Sequence, residues 1–207
     1  MSSRNLDTTE GFHLIGRHKV HLGAPFAEVA QSKRSHAAAI RSGASLPLLF
    51  DACNRCRVPA AALRDLLQWV LFNLLIGNSD AHGKNISFMV EPGGLRLAPA
   101  YDLVSVCIYP DIEHEFAMAI GDEFDMTKVR AFDWADFSDR CGIERRLLVR
   151  EMNRMIKALR IQLPTLLSLP NYIEEERAML HKISDLALQQ AEQLEIDAKM
   201  IVKVVIE

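Results

Sequence analysis

The stretch PAAALRDLLQWVLFNLLIG, residues 59–77, predicts a buried helix around which the rest of the chain packs. Pro59 suits the first helical turn, where its missing N–H is not required. Gly77 can adopt the left-handed conformation that commonly ends a helix. The apolar residues between them recur at helical spacing: Leu63, Leu66, Leu67, Val70, Leu71, Leu74 and Leu75. We therefore expect a core helix whose two ends are marked by the sequence itself.

The nine residues that follow, GNSDAHGKN at 77–85, place many polar groups at the end of this apolar helix. Gly, Asn, Ser and Asp are common turn formers, so an ordinary loop is one interpretation. His82 and Lys84 are not needed for a turn, and a second acid, Asp102, follows within LAPAYDL. A carboxylate in an apolar stretch must be paired or bound to a metal to offset its desolvation. The loop is therefore a candidate functional site.

The remaining segments predict a mainly α fold with a small β-hairpin beside the polar loop. ISFMV, EPGG and LRLA, at 86–98, are typical of strand, turn and strand. From about residue 121 onward we expect helices. DWADFSDRCG begins at a capping Asp133 and stops at Gly142, while 143–163 and 172–197 have amphipathic spacing. We divide the chain into an N-terminal arm or partly ordered segment, 1–45, and a domain, 46–207.

Composition limits the classes of function. The chain has 207 residues and a net charge of -3, which argues against a strongly cationic nucleic-acid binder. We see no uninterrupted apolar run of the roughly 18 residues that cross a bilayer, and no apolar signal-peptide region. A cytoplasmic location without membrane contact is the expectation.

The cysteines raise the question of a metal or redox site. Cys53 and Cys56 form a CNRC, but Cys107 and Cys141 supply no second close pair for a zinc site. A thioredoxin-like pair would follow a strand, whereas this one precedes a helix. We therefore expect reduced, structural thiols.

The spacing of the polar residues is suited to phosphoryl transfer. Asp80 and Asn85 are five positions apart, as in the D-x-x-x-x-N of kinase catalytic loops, and Asp102 lies 22 residues beyond Asp80. Transfer needs an acceptor hydroxyl held in line and magnesium beside the phosphate oxygens. Carboxylate and amide oxygens are suitable ligands for such a hard cation. The ordered set is more specific than the five-residue spacing alone.

The segment FNLLIGNSDAHGKNISFMV, followed by LRLAPAYDLVSV, resembles the C-terminal lobe of the HipA family of serine/threonine kinases, the toxins of bacterial toxin–antitoxin pairs. The family pattern is N-x-D-x-H-x-K-N followed by P-x-Y-D. Its fixed positions are all present, at Asn78, Asp80, His82, Lys84, Asn85, Pro99, Tyr101 and Asp102. The resemblance is strongest over about residues 60–105. It implies a protein-kinase-like C-lobe that uses ATP and Mg²⁺.

The resemblance also implies a role for each matching residue. Asp80 would be the catalytic base that orients the acceptor hydroxyl, and Asn85 and Asp102 would ligate magnesium. The residues implied to contact ATP are His82, Gly83, Lys84, Asn85, Tyr101 and Asp102. Lys84 would offset the charge of the transferred group.

The sequence lacks the features of a kinase N-terminal lobe. It contains no G-x-G-x-x-G loop and no V-A-I-K-like strand before Asp80. We therefore expect a lone C-lobe with weak or absent kinase activity in isolation.

Two functions stay open. The first is a kinase lobe acting on a protein serine or threonine, with translation-linked substrates such as aminoacyl-tRNA synthetases and growth arrest implied by the family. The second is an inactive binding module for an antitoxin, a separate N-lobe chain or a second copy in a homodimer. A third, direct nucleic-acid binding through RHKVH (17–21) and RSHAAAIRS (34–42), is disfavoured by the net charge.

Overall fold

The computed structural model describes residues 12–15, 19–22, 44–112 and 114–206. Its helices are α1 (Leu46–Cys53), α2 (Pro59–Ile76), α3 (Ala131–Arg140), α4 (Arg145–Leu167) and α5 (Glu174–Ala198). Its strands are β1 (Phe12–Ile15), β2 (Lys19–Leu22), β3 (Ser87–Glu91), β4 (Gly94–Leu97), β5 (Glu115–Ile120) and β6 (Glu123–Asp125). Short 3-10 turns cover Gly83–Asn85 and Ile201–Lys203. The described part is thus mainly helical with small antiparallel sheets, as predicted.

Helix α2 confirms the prediction for the opening stretch. It begins at Pro59 and ends at Ile76, and Gly77 adopts the left-handed conformation with φ 68° and ψ 42°. Most of its leucines are buried, and it packs against α4 and α5. Gly77 lies so close to α5 that an added Cβ would stand 2.5 Å from Leu186 Cδ2. The end of α2 is therefore fixed both by backbone conformation and by packing.

Helix α2 meets a length-and-composition criterion for a membrane span, although Arg64 and Asp65 interrupt its apolar run. Its 18 residues have a mean hydropathy of 1.2, enough to cross a bilayer by length and composition. Half of the helix is buried inside the fold. This burial identifies α2 as the core helix of a folded domain, since a core helix meets the same criterion.

The predicted hairpin is confirmed, and it forms part of a larger sheet. Strands β3 and β4 pair antiparallel across a turn at Pro92 and Gly93. The sheet order is β1-β2-β3-β4, with Val20 of β2 opposite Phe88 of β3. The sequence analysis did not predict β1 and β2, which are only four residues long. Strand β1 pairs with β2, and β2 gains its partner β3 from 66 or more positions away. The rest of the proposed arm 1–45, apart from 44–45, lies outside the described residues, and the boundary at 45/46 stays a prediction.

The prediction that everything after residue 121 is helical is wrong for β6. Strands β5 and β6 form a second hairpin that turns at Gly121, whose φ is 63°. In β5, Phe116, Met118 and Ile120 are buried and alternate with less buried residues. This alternation in β5 is a strand signal just before the zone predicted to be helical, and the sequence analysis did not use it.

The C-terminal helices largely follow the prediction. Helix α3 starts at Ala131, two residues before the predicted cap. Asp133 therefore occupies the third helical position and is not the N-cap residue. From there its Oδ2 accepts the N–H of Arg130 at 2.9 Å. Helix α4 buries Leu148, Met152 and Ile156 on one face, as its spacing predicted.

The four cysteines are free thiols. Cys53, Cys56 and Cys141 are buried and Cys107 is half-buried. Burial raises the pKa of Cys53 to about 12, with a further contribution from its neighbour Cys56. A thiol with so high a pKa is a poor nucleophile and metal ligand, which agrees with a structural role.

Candidate active site

The segment after Asp102 is attached directly to the end of α2. The carbonyl oxygen of Gly77 accepts the N–H groups of Val106 at 3.0 Å and Cys107 at 2.9 Å. Ser105 Oγ donates to the carbonyl oxygen of Ile76 at 2.5 Å. These bonds bring the P-x-Y-D segment against the polar loop, so the two parts of the predicted motif meet.

Asn85 and Asp102, the predicted metal ligands, are in direct contact. Asn85 Nδ2 donates to Asp102 Oδ2, and Asn85 Oδ1 accepts the N–H of His82 at 2.9 Å. Asn85 is buried at the end of the 3-10 turn Gly83–Asn85, which fixes its side chain beneath the loop. The structure therefore brings an amide and a carboxylate together at one point, as the motif predicted.

The surroundings of Asp102 differ from the prediction in one respect. The sequence placed it within an apolar stretch, which suggested burial, yet Asp102 is exposed. Its apolar neighbours Leu103 and Val104 are themselves 40% and 48% exposed. The stretch runs along the surface, so Asp102 is paired without being buried.

Asp102 also has an unusual backbone conformation. Its φ is 58°, the only positive value among the described residues other than glycine. The left-handed region costs an L-residue about 1–2 kcal/mol, although Asp tolerates it better than most. Asn78 Nδ2 donates to the Asp102 carbonyl oxygen at 3.1 Å and so supports this conformation.

Tyr101 connects the polar loop to the sheet. Its hydroxyl donates to the carbonyl oxygen of Lys84 at 2.6 Å and lies 3.0 Å from Ser87 Oγ. Because the single hydroxyl proton is used on Lys84, the serine hydroxyl is the donor in the second bond. Tyr101 thus fixes the 3-10 turn relative to β3, and its predicted position beside a nucleotide stays a prediction.

Asp80 and His82 lie together at the exposed edge of the loop. The Asp80 side chain is 68% exposed, and its Oδ1 is 4.0 Å from His82 Nε2, too far for a direct hydrogen bond. His82 Nδ1 is buried without a hydrogen-bond partner among the described residues. Gly83 is buried and Lys84 is exposed. Asp80 is therefore accessible to an incoming hydroxyl group.

Ser79 ties the loop to the second hairpin. Its carbonyl oxygen accepts the N–H of Ala117 in β5 at 3.1 Å. Ser79 also forms hydrogen bonds with Cys107, which lower the pKa of that thiol, but burial has the larger effect and raises it overall. Hydrogen bonds of Ser79 with the Cys107 thiol and with strand β5 therefore hold the loop in place.

The Asp102 carboxylate and the Asn85 amide are of the chemical types that ligate a hard divalent cation. In this structure Asn85 turns its Nδ2 toward Asp102 while its Oδ1 accepts the His82 N–H, so a bound cation requires the Asn85 amide to present its oxygen. Magnesium is usually held by one or two carboxylates together with substrate phosphates and water. Among the described residues no group of three or more His, Cys, Asp or Glu side chains could hold a metal. A cation here would take the Asp102 carboxylate and the Asn85 amide oxygen and complete its shell with phosphate and water.

A cavity of about 390 Å³ opens beside Asn85, between α2 and the β3–β4 hairpin. Trp69 and Phe72 of α2, Ser87 of β3 and Leu103 contribute to its lining. Its size falls within the range of small-molecule sites. Asp80, His82 and Lys84 do not line it, so the cavity meets the motif at Asn85 and Pro99.

Sequence reasoning gave no role to Asn73 and only a motif position to Asn78. The structure buries both and connects them to each other and to Asp102. The available signal was an asparagine within the leucine-rich face of a core helix. A buried amide there needs specific hydrogen-bond partners.

Comparison with known proteins places the chain in a family. A family model of the HipA-like C-terminal domain matches residues 16–163, more than half of the chain. The chain is 45% identical over 142 residues to the serine/threonine-protein kinase toxin HipA of Shewanella oneidensis. That match covers 68% of this chain and 33% of the relative. The protein Y4mE of Sinorhizobium fredii is 37% identical over 98 residues, covering 47% of this chain and 23% of the relative.

A solved structure has the same fold. A chain of the Shewanella oneidensis complex of HipA, HipB and operator DNA superposes with a TM-score of 0.77 and 38% sequence identity. The match covers 85% of this chain and 41% of the solved chain. The present chain thus spans about a third of its Shewanella kinase relative and less than half of the solved chain.

Proposed function

The chain belongs to the HipA-like C-terminal domain family, and on that premise we propose that it forms the catalytic lobe of a protein serine/threonine kinase. The lobe performs or supports transfer of a phosphoryl group from ATP, with Mg²⁺, to a hydroxyl group of a protein substrate. The observation that carries this proposal is the contact between the Asn85 amide and the Asp102 carboxylate. Asp80 stands on the same loop as Asn85, with its side chain open to solvent.

Each of these residues has a separate role in phosphoryl transfer. The exposed carboxylate of Asp80 orients the acceptor hydroxyl and accepts its proton. Asn85 and Asp102 hold the cation, and Lys84 offsets negative charge on the phosphates. When bound, Mg²⁺–ATP supplies the phosphoryl group and neutralises charge that develops on its oxygens. Tyr101 keeps the turn that carries Lys84 and Asn85 in place through its bond to the Lys84 carbonyl.

These 207 residues contain no glycine-rich phosphate loop and no V-A-I-K-like lysine. Phosphates bound to Asn85 and Asp102 alone would remain open to water, which weakens the electrostatic stabilisation of transfer. We therefore expect slow phosphorylation by this chain alone. In a cytoplasmic setting the activity would restrain growth in the manner of a HipA-type toxin, with a translation-linked protein as substrate.

A binding role without turnover is the second candidate. It is favoured by the exposed apolar residues Leu103, Val104, Tyr109 and Ile112, which follow Asp102 along the surface. Exposed apolar patches mark interaction sites in many proteins. The solved relative is in a complex with HipB and operator DNA, so a HipB-like antitoxin is the partner we propose first. A separate N-lobe chain or a second copy of this chain would bind to the same exposed apolar residues.

Transfer of labelled phosphate separates the two functions. Purified chain with [γ-³²P]ATP, Mg²⁺ and a bacterial lysate is expected to label a protein, and Asp80→Asn and Asp102→Asn are expected to abolish the label. Asp185→Asn, an exposed change on α5, is the matched control and should leave it unchanged. Absence of label in the native chain, together with capture of a HipB-like antitoxin that Val104→Glu prevents, would instead support the binding role.

A further inference from the structure

Two buried asparagines connect the core helix to the candidate metal site. Asn73 and Asn78 are 3% and 2% exposed. Asn73 Nδ2 donates to the Trp69 carbonyl oxygen at 2.8 Å, one turn earlier in α2. Its Oδ1 accepts from Asn78 Nδ2 at 2.7 Å, and its carbonyl oxygen accepts the Asn78 N–H at 2.8 Å. Asn78 is therefore joined to the last turn of α2 at two points.

The orientation of the Asn78 amide is determined by its neighbours. Nδ2 faces two acceptors, Asn73 Oδ1 and the carbonyl oxygen of Asp102 at 3.1 Å. A flipped amide would place Oδ1 against both of these oxygens, and two hydrogen bonds would be replaced by repulsion. In the observed orientation Asn78 Oδ1 is buried with no partner among the described residues. Leaving such an acceptor unsatisfied is unfavourable, and the requirement that the asparagine meets lies in the groups that its Nδ2 contacts.

That requirement is found at Asp102. Two amides hold this residue from opposite ends, with Asn78 bound to its carbonyl oxygen and Asn85 bound to its carboxylate. Its left-handed φ of 58° is sparsely populated by residues other than glycine, although Asp tolerates it better than most, and the two amides hold it in place. Without Asn78, rotation of the Asp102 backbone toward negative φ would turn the carboxylate away from Asn85.

We infer that Asn73 and Asn78 are positioning residues that fix the backbone of Asp102, so that its carboxylate and the Asn85 amide meet at one cation site. Asn73 fixes the amide of Asn78, and Asn78 fixes Asp102. This inference rests on the proposed function to the extent that the cation is the magnesium that accompanies ATP. The geometry of Asp102 is independent of that assumption and can be measured separately.

The test uses leucine, which has nearly the shape of asparagine but no hydrogen-bonding groups. The full chain is prepared with Asn78→Leu, with Asn73→Leu and Asn78→Leu together, and with Asn153→Leu on the exposed face of α4 as control. Mn²⁺ binding in the presence of ATP is measured by electron spin resonance. The free energy of unfolding is measured in urea.

Asn78→Leu is expected to weaken Mn²⁺ binding about 10- to 100-fold, the usual effect of removing a residue that orients a metal ligand. The double variant removes donor and acceptor together, so it should regain much of the stability that the single variant loses. Its Mn²⁺ affinity is expected to stay low. Recovery of affinity together with stability, or native affinity in either variant, would overturn the inference, because a merely structural pair would behave in that way.

A second measurement keeps the inference separate from the proposed function. The ¹³Cα chemical shift of Asp102 reports its backbone conformation whether or not a metal binds. If the native chain binds no Mn²⁺ with ATP, the proposed function fails. The inference is then supported by a changed Asp102 shift in Asn78→Leu and overturned by an unchanged one.

Discussion

Replacement of Gly77 by alanine tests how the end of α2 is fixed. The left-handed φ of 68° at this position costs a residue with a Cβ about 1–2 kcal/mol. The added Cβ would also lie 2.5 Å from Leu186 Cδ2 and 3.0 Å from Cys107 Cβ. Relief of such overpacking costs a further 1–3 kcal/mol or so, because the Leu186 side chain and the Cys107 segment must shift. We expect Gly77→Ala to lower the free energy of unfolding by about 2–5 kcal/mol.

Gly142 provides a matched control for this prediction. Its φ is 63°, close to that of Gly77, but an added Cβ would meet nothing within 4 Å. Gly142→Ala should therefore show only the backbone cost of about 1–2 kcal/mol. Urea titrations of the two variants, extrapolated to water, give the difference directly. Equal losses in both variants would refute the argument that contact with Leu186 and Cys107 fixes the end of α2.

Three further predictions concern single side chains. Tyr101→Phe removes the bond to the Lys84 carbonyl and should lower the free energy of unfolding by about 0.5–1.5 kcal/mol; an unchanged urea midpoint would contradict this. Hydrogen bonds from Thr127 and Lys128 hold the pKa of Asp125 at about 2, below its ordinary value, so its stabilising effect is present above about pH 4 and is lost as the pH falls toward 2. Asp125→Asn should reduce the loss of unfolding free energy between about pH 4 and pH 2. An unchanged pH dependence in that range would contradict the lowered pKa of Asp125. The high pKa and burial of Cys53 predict slow alkylation by iodoacetamide in the folded protein at pH 8 and rapid alkylation in urea, as mass spectrometry would record.

The parts of the fold that local sequence determines were predicted well. Pro59, Gly77 and the leucine spacing between them define α2 without reference to any other segment. The turn at Pro92 and Gly93 likewise defines the β3–β4 hairpin. The motif residues Asn85 and Asp102 meet as expected, because the hairpin returns the chain to the end of α2.

The features that escaped prediction depend on contacts between distant segments. Strand β2 gains its partner β3 only when residues 19 and 89 come together. The left-handed conformation of Asp102 depends on Asn78, 24 positions earlier, and no local pattern marks it. The exposure of Leu103 follows from the surface path of its segment, whereas its composition suggested burial. Only the β5–β6 hairpin carried a local alternation that could have been recognised.

The proposal that Asn85 and Asp102 bind the cation that accompanies ATP is tested most directly by diffraction. Crystals of the native chain soaked with Mn²⁺ and a non-hydrolysable ATP analogue would be measured at the manganese absorption edge. We predict an anomalous peak about 2.1 Å from both the Asp102 carboxylate and the Asn85 amide oxygen, the distance typical of magnesium-like coordination. A nucleotide bound with its manganese elsewhere, while the Asn85–Asp102 contact stays closed, would contradict the proposal.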